Sequence, residues 1–322
     1  MKKNKLFNFF TPKSITKDDE FAEIPTNFKG FFVMLGRKFW NISNLSLLFS
    51  AANFPIFALV LGISLMNKQI VVTSPMFSQY FGMAEVSGTP ALNDFFSIVA
   101  SFGTKAVMSR GSLICFCIAA LFIITFGLSS AGSAYIIRGF NRGEPVFLIS
   151  DFFSTIKRNW KQALIIGILD LVFCVVLVYD FLFWQATPGF IGGIMMYFAL
   201  FLCVLYFFMR FYIYTIAITF DLSLFKIFKD AFLLSFLGFK RNILAFFGIL
   251  PVFFINLQLF FILPSLGIML PLVLTFALCM FISGYASYPV IKKFMIDPFY
   301  PDSDSGENFE SDSEEAVFED RG

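Results

Sequence analysis

One acidic residue stands in the middle of a long apolar stretch, where a charged side chain is energetically costly. Asp170 is flanked by IIGIL and LVFCVV, about eight residues and roughly 12 Å into a segment long enough to cross a membrane. A buried acid can bind a solute, or it can be protonated and hydrogen-bond a neighbouring helix. Asn53, Asn256 and Gln258, in other apolar stretches, are its predicted partners. These four residues form the candidate intramembrane polar site.

A second set of candidate residues lies in the stretch SDFFSTIKRNW, which begins at Ser150. Its apolar residues recur at helical spacing, a pattern typical of an amphipathic helix that Ser150 or Asp151 would cap. We expect Phe152 and Phe153 on the face that lies on the membrane, with Trp160 among the lipid headgroups. The cations between them can face anionic lipid or bind a protein partner.

The Lys-Arg-Asn triplet of this stretch occurs again in KRNILAFFGIL, before a later apolar stretch. The residues that precede it, 221–239, also have the pattern of an amphipathic helix. The duplication is compatible with an internal repeat of two halves, or with the composition that membrane boundaries share. The candidate cytoplasmic docking residues are Asp151, Lys157, Arg158, Asn159, Lys240, Arg241 and Asn242.

Several catalytic chemistries are excluded by the composition. The chain has no histidine, so it has no Ser-His-Asp triad, no histidine-ligated metal or haem, and no imidazole proton relay. No GxxxxGK[ST] phosphate-binding loop occurs. The five cysteines lie within apolar stretches and lack the spacing of a metal site. We therefore predict that the protein is not an enzyme and has no catalytic residue, no cofactor and no bound metal.

The elements that must position the candidate residues are membrane-spanning helices. Hydrophobic residues make up 58% of the 322-residue chain and charged residues 14%, against roughly 25% charged residues in a soluble domain. A spanning helix needs about 20 apolar residues. The stretches that meet this requirement are Leu45–Met66, Leu113–Ile137, Gln162–Trp184, Phe190–Met209, Ile243–Leu263 and Leu266–Tyr288. The predicted fold is an all-α polytopic membrane helix bundle, with two interfacial amphipathic helices near 147–161 and 221–239.

Lysine and arginine residues cluster in alternate connecting segments, and this predicts the orientation of the bundle. They are frequent before residue 45, at 138–161, at 210–241 and at 292–293, whereas the intervening segments carry few or none. Because cationic connections stay in the cytoplasm, both termini are predicted to be cytoplasmic. The start MKKNKLFNFF lacks a continuous apolar core, so no cleaved signal peptide is expected.

Three regions follow from this topology. Residues 1–44 form a cytoplasmic N-terminal segment with an interfacial helix, and residues 45–300 form the transmembrane bundle, with an exterior loop at 67–112. Residues 301–322 form a tail rich in aspartate and glutamate, in which like-charge repulsion predicts disorder. Such a tail is either simply solvated or a docking segment for a basic partner.

The segment GLSSAGSAYIIRGFNRGEPVFLISDFFSTIKRNWKQA resembles the signature region of the YesL family, bacterial membrane proteins that share a domain of unknown function. The resemblance consists of small residues at a helix end, an aromatic residue and a cation, a Gly-Glu turn, and an Asp-Phe-Phe helix that ends in a basic residue and asparagine. The matching residues are Gly127, Ala131, Ala134, Tyr135, Arg138, Gly143, Glu144, Asp151, Phe152, Phe153, Lys157 and Asn159. Weaker similarity covers most of residues 31–250, whereas loop 67–112 and the acidic tail depart from the pattern.

The resemblance implies a multi-pass protein of the bacterial cytoplasmic membrane. Members of the family are often encoded beside genes for carbohydrate uptake and degradation, which implies a role near sugar import, with sugar ABC transporter components as partners. Three functions stay open: an accessory or scaffold component that acts through its cytoplasmic helices, a small-solute transporter built around Asp170, and an ABC-type permease subunit. The lipid bilayer is the other expected partner, and neither nucleic-acid binding nor a particular oligomeric state is predicted.

Overall fold

The computed structural model describes residues 28–70, 104–298 and 318–319, and most of these are helical. The helices are α1 Phe28–Ala52, α2 Ile56–Ser64, α3 Arg110–Arg142, α4 Leu148–Ala186, α5 Phe190–Thr219, α6 Leu224–Leu237, α7 Phe239–Ile262 and α8 Pro264–Ile296. The short strands are β1 Asn67–Ile70, β2 Thr104–Val107, β3 Phe220–Asp221 and β4 Phe318–Glu319.

The predicted all-α polytopic fold is confirmed. Five of the described helices, namely α3, α4, α5, α7 and α8, are each long and apolar enough to cross a membrane. The pair α1 and α2 meets the same criterion when it is taken as one broken span. Each of the six predicted stretches therefore corresponds to a candidate span, while the orientation of the termini stays a prediction.

The first predicted span, Leu45–Met66, is wrong as a single continuous helix. Helix α1 ends at Ala52 and α2 begins at Ile56. Pro55 lies between them; proline has no N–H to donate and disfavours helical backbone at the residue before it, which accounts for the break. Asn53 closes the end of α1, because its backbone N–H and its side-chain amide both donate to one carbonyl of the preceding turn, at 3.0 and 2.9 Å.

Phe54–Phe122 form the smaller of two compact units. Within it β1 and β2 pair in an antiparallel ladder, which the sequence analysis does not predict. Ser109 Oγ donates a hydrogen bond to the Leu65 carbonyl at 2.8 Å, at the foot of the ladder. The two ends of the predicted exterior loop 67–112 are thus paired, and residues 71–103 of that loop lie outside the described residues.

The larger unit comprises Met1–Asn53 and Ile123–Gly322, and α5 lies at its centre. Helices α4, α6 and α8 all pack against α5. Its largest fully buried side chains are Tyr212, Ile213 and Ile216. Polar bonds hold its C-terminal end: Arg138 of α3 donates to Thr219 Oγ1 at 3.2 Å, and Gln162 of α4 donates to the Leu222 carbonyl at 2.8 Å.

Helices α3 and α4 approach each other closely at a pair of glycines. A Cβ atom on Gly127 would lie 2.6 Å from the Cα atom of Gly167 and would also clash with the Ala163 carbonyl. Small residues let helix backbones come together in this way within membranes, where dispersion contacts drive association. Any larger side chain at Gly127 would force the two helices apart.

Helix α1 is joined to α8 by three serines. The π-helical segment Pro271–Thr275 interrupts the α-helical bonding of α8, and such segments leave carbonyl groups without their usual partners. Ser43, Ser46 and Ser50 of α1 donate to the carbonyls of this region at 3.0 to 3.2 Å. These three hydrogen bonds therefore satisfy backbone carbonyls for which lipid offers no donor.

The two predicted interfacial helices are present but are built differently. The first is the beginning of α4, which runs on into the span through a bend at Asn159, where φ is −110° and ψ is 19°. The second is the separate helix α6. The predicted membrane face of the first is partly wrong: Phe152 is fully buried against α3, whereas Phe153 and Trp160 are about half exposed. Phe152 packs there because Gly132 leaves room for its ring.

The acidic tail predicted at 301–322 is described only at Phe318–Glu319, which pair in parallel with β3. The predicted disorder of the rest of the tail lies outside the described residues. So does the predicted cytoplasmic segment up to residue 27.

Candidate functional site

Asp170 lies in the apolar part of α4, and its side chain is completely buried. An ionised carboxylate is expensive to remove from water unless a cation and hydrogen-bond donors surround it. Its neighbours in IIGIL and LVFCVV are all apolar apart from the thiol of Cys174. The main donors must therefore come from another helix.

Helix α5 supplies these donors from a single face. Tyr206, Arg210 and Tyr214 follow one another at intervals of four, so the helix places them in one row. Tyr206 Oη donates to Asp170 Oδ1 at 2.8 Å, and Tyr214 Oη donates to Oδ2 at 2.9 Å. Arg210 Nε lies 3.0 Å from Oδ1 and 3.2 Å from Oδ2. We call these four residues the Asp170 cluster.

The Asp170 cluster also reaches α3. The Arg210 guanidinium lies over the ring of Phe126, 5.8 Å from its centroid. Tyr214 also lies close enough to Ser130 of α3 for their side chains to interact. Three helices, α3, α4 and α5, therefore meet around one carboxylate.

In this arrangement the Asp170 carboxylate is ion-paired, and its hydrogen-bond acceptor positions are all occupied. A carboxylate has about four lone-pair positions, and two phenols, a guanidinium and the Cys174 thiol at 3.8 Å surround the two oxygens of Asp170. Asp170 has no exposed surface, whereas the Arg210 side chain retains 34% of its own. An approaching solute would thus meet the cation before the acid.

The predicted partners of Asp170 lie elsewhere, which corrects that part of the sequence analysis. Asn53 donates to Ser129 Oγ at 2.7 Å and joins the end of α1 to α3. Asn256 Nδ2 lies 3.5 Å from a carbonyl of α8, across the turn that follows α7. Gln258 is exposed on α7. The physical reason is connectivity: a short turn joins α4 to α5, so α5 rather than α1 or α7 faces Asp170.

Four of the predicted docking residues lie in the first turns of α4. The predicted cap is wrong, because α4 begins two residues before Ser150 and its N-cap is Phe147; Asp151 lies within the first turn, where its Oδ2 accepts a hydrogen bond from the Phe147 N–H at 2.7 Å. Lys157 and Arg158 are exposed. Asn159 marks the bend, and its buried Nδ2 has no hydrogen-bond partner among the described residues.

The second Lys-Arg-Asn triplet opens α7, and its members differ in burial. Lys240 is exposed, whereas Asn242 is fully buried. Tyr212 Oη donates to Asn242 Oδ1 at 2.7 Å, and Asn242 Nδ2 donates to the Ser235 carbonyl at 2.9 Å. Asn242 joins α5, α6 and α7, so the prediction that it docks a partner is wrong. Arg241 is half-buried.

The outer side of α6 carries charges and an aromatic ring. Lys226 and Lys229 are exposed, as is Phe225, which retains 79% of its surface. Partial burial raises the pKa of Asp230, and the two neighbouring lysines oppose that shift. This helix thus presents a mixed surface beside its buried, α5-facing side.

The five cysteines lie on α3, α4, α5 and α8, and Cys117 is exposed. All five are free thiols. Cys203 Sγ lies 3.6 Å from the Leu177 carbonyl and so links α5 to α4. In residues 28–70 and 104–298, no group of three or more cysteine, aspartate or glutamate side chains is arranged to hold a metal ion.

Tyr206, Arg210 and Tyr214 are absent from the sequence-based candidates. The predicted span Phe190–Met209 stops one residue before Arg210, which assigns the arginine to the membrane boundary. Helix α5 instead continues to Thr219 and carries Arg210 within it. The available signal is the stretch YFFMRFYIY, where a residue with a polar end recurs at every fourth position.

Comparison with known proteins gives one match. A family model described as "Protein of unknown function, DUF624" matches residues 107–181. The matched part contains α3 and most of α4, including Gly127 and Asp170, and it ends before α5. Over this part the chain is similar to an uncharacterised family. No curated protein and no solved structure matches the chain.

Proposed function

We propose that this multi-pass membrane protein is a non-enzymatic accessory or scaffold component associated with sugar uptake. It acts by binding a partner through the exposed face at the start of α4 and on α6. Its place is the bacterial cytoplasmic membrane, with this face in the cytoplasm. The resemblance to the YesL family supports the association with sugar uptake, and the DUF624 match is consistent with that resemblance.

This proposal rests on one observation: the acceptor positions of the Asp170 carboxylate are all occupied by side chains of the bundle. Asp170 is the one fully buried acid among the described residues, and three of its four neighbouring donor side chains come from α5, the fourth being Cys174 of its own helix. A solute-binding acid needs a free acceptor position, whereas a helix joint needs none. The polar residue best placed to bind a solute is thus occupied with holding the bundle together.

The exposed face includes an arginine and an aromatic residue, two residue types that binding surfaces favour. Its cations are Lys157, Arg158 and Lys161, which we call the α4 cationic face. Trp160 is half exposed beside them, and Lys161 Nζ lies 5.7 Å from the centroid of its ring. Arginine and aromatic side chains are enriched where proteins bind each other. A partner with an acidic cytoplasmic surface would complement this face.

Co-purification tests the proposal. The protein is extracted from its native membrane in mild detergent, and bound proteins are identified by mass spectrometry. We expect subunits of a sugar ABC transporter to be recovered with the wild-type chain and lost with the double variant Lys157→Glu, Arg158→Glu. Lys293→Glu is the control, since Lys293 is an exposed cation on α8, outside the α4 cationic face. Equal recovery with the double variant and the wild type would contradict docking through α4.

A small-solute transporter or ABC-type permease subunit is the second candidate, favoured by the partial exposure of Arg210. Rupture of the Asp170–Arg210 pair would then open a polar site within the bundle. In liposomes containing only this protein, such a transporter would move a labelled monosaccharide or disaccharide, and Asp170→Asn would change the flux. The accessory function predicts no flux for either protein.

A further inference from the structure

An apolar groove of about 570 Å³ lies among α1, α7 and α8 of the larger unit. Aromatic and aliphatic side chains form almost all of its wall, among them Phe28 and Phe32 of α1 and Leu244 of α7. These three side chains are also exposed at the surface of the bundle, so the groove is open to its surroundings. Its volume falls within the roughly 300–1,000 Å³ of small-molecule sites.

One charge stands in this apolar wall. Among the described residues that line the groove, Arg241 is the only charged one. It lies in the first turn of α7, where the helix dipole adds positive partial charge. Tyr285, which also lines the groove, is close enough to Arg241 to interact with it electrostatically. The groove is therefore apolar along its length and cationic at one position near the start of a helix.

This distribution is complementary to an amphiphile with an apolar chain and one anionic end. The start of α7 is also the predicted cytoplasmic end of its span, the level at which phospholipid headgroups lie. We propose that the groove binds one anionic phospholipid of the bilayer, with an acyl chain against α1, α7 and α8 and the phosphate on Arg241. The inference does not depend on the proposed accessory function.

Native mass spectrometry of the full chain in detergent tests this site. Phosphatidylglycerol and phosphatidylcholine with identical acyl chains are titrated against the protein. We expect the wild type to bind phosphatidylglycerol about tenfold more tightly, because both lipids offer a phosphate to Arg241 but the choline ammonium of phosphatidylcholine offsets the charge of that phosphate. Arg241→Gln should abolish the preference. Lys240→Gln should keep it, since Lys240 is an equally charged neighbour that does not line the groove.

A second variant tests the chain-binding part independently of Arg241. Leu244 is 59% exposed, so Leu244→Trp fills the groove without disturbing the buried core. It should reduce the binding of both lipids. This variant decides the matter if Arg241→Gln does not fold.

Four results would overturn the inference. The first is equal affinity of the wild type for the two lipids, and the second is unchanged binding by Leu244→Trp. The third is an equal loss of preference in Lys240→Gln and Arg241→Gln, which would reflect general surface attraction. The last is a dimer mass that Leu244→Trp abolishes, which would make a second copy of the chain the occupant.

Discussion

The two Lys-Arg-Asn triplets have the same sequence but occupy different places in the fold. The first lies at the kink within α4, where Asn159 has non-helical backbone angles and its amide nitrogen makes no hydrogen bond among the described residues. The second begins a separate helix, where Asn242 is fully buried and bonded to Tyr212 and to the Ser235 carbonyl. The same motif therefore marks a bend in one region and a joint between three helices in the other.

Helices α4 and α7 are held in place by different contacts. Helix α7 is fixed at its start by a polar contact, the amide of Asn242. Helix α4 is fixed further along, by the close approach of Gly127 to Gly167 and by the Asp170 cluster. The cations of the first triplet consequently lie exposed at the surface, whereas the asparagine of the second triplet is part of the core.

The largest loss of stability is expected at the close contact between Gly127 of α3 and Gly167 of α4, which holds α4 in place. Gly127→Leu places a side chain into the backbone of α4, so α3 and α4 must separate. We expect a loss of more than about 4 kcal/mol in the free energy of unfolding, the range of severe core changes. Gly36→Leu is the control, because a Cβ atom on Gly36 meets nothing within 4 Å. Monodisperse, folded Gly127→Leu protein in detergent would contradict the close contact.

A smaller effect compares the two asparagines directly. Asn242→Ala leaves the Tyr212 hydroxyl and the Ser235 carbonyl without their buried partner, which costs about 1–3 kcal/mol. Asn159→Ala removes a buried amide nitrogen that has no such bond, so the free energy of unfolding should stay the same or rise. Thermal unfolding of both variants in the same detergent measures the difference. Similar unfolding temperatures would show that the two triplets are equivalent after all.

The smallest effect on stability is expected at the α4 cationic face. Lys157→Glu and Arg158→Glu change exposed side chains, so unfolding should shift by less than about 0.5 kcal/mol for each. Circular dichroism during heating measures this, on the same preparations that are used for co-purification. A large loss of stability would mean that these cations stabilise the fold. Failure to recover a partner with the double variant would then reflect unfolding and not the loss of a docking surface.

The membrane spans could be predicted from the sequence because their signal is local. Length and apolar composition identify each candidate span, and Pro55 explains locally why the first one is broken. The ladder of β1 and β2 could not be predicted in this way. It pairs segments more than thirty residues apart along the chain, and neither segment has a marked strand pattern.

The candidate site could be predicted only in part, for a physical reason. Asp170 is conspicuous because a lone acid in an apolar helix is costly. Its partners depend on which helix faces it, and Arg210 resembles a boundary cation until α5 is known to extend beyond it. Asn242 and Asn159 likewise differ in how deeply they are buried, and this difference too becomes visible only in the folded structure. Tertiary packing decides both cases, and identical triplets cannot encode that difference by themselves.

The central claim is that the Asp170–Arg210 pair joins α4 to α5. A double-mutant cycle with Asp170→Asn, Arg210→Gln and the double variant, followed by thermal unfolding in detergent, tests it most directly. We predict that Arg210→Gln loses about 3 kcal/mol or more, because the fully buried Asp170 is left uncompensated, that Asp170→Asn loses less, because Arg210 is 34% exposed, and that the double variant loses clearly less than the sum. Single variants as stable as the wild type, with additive effects in the double variant, would contradict the claim.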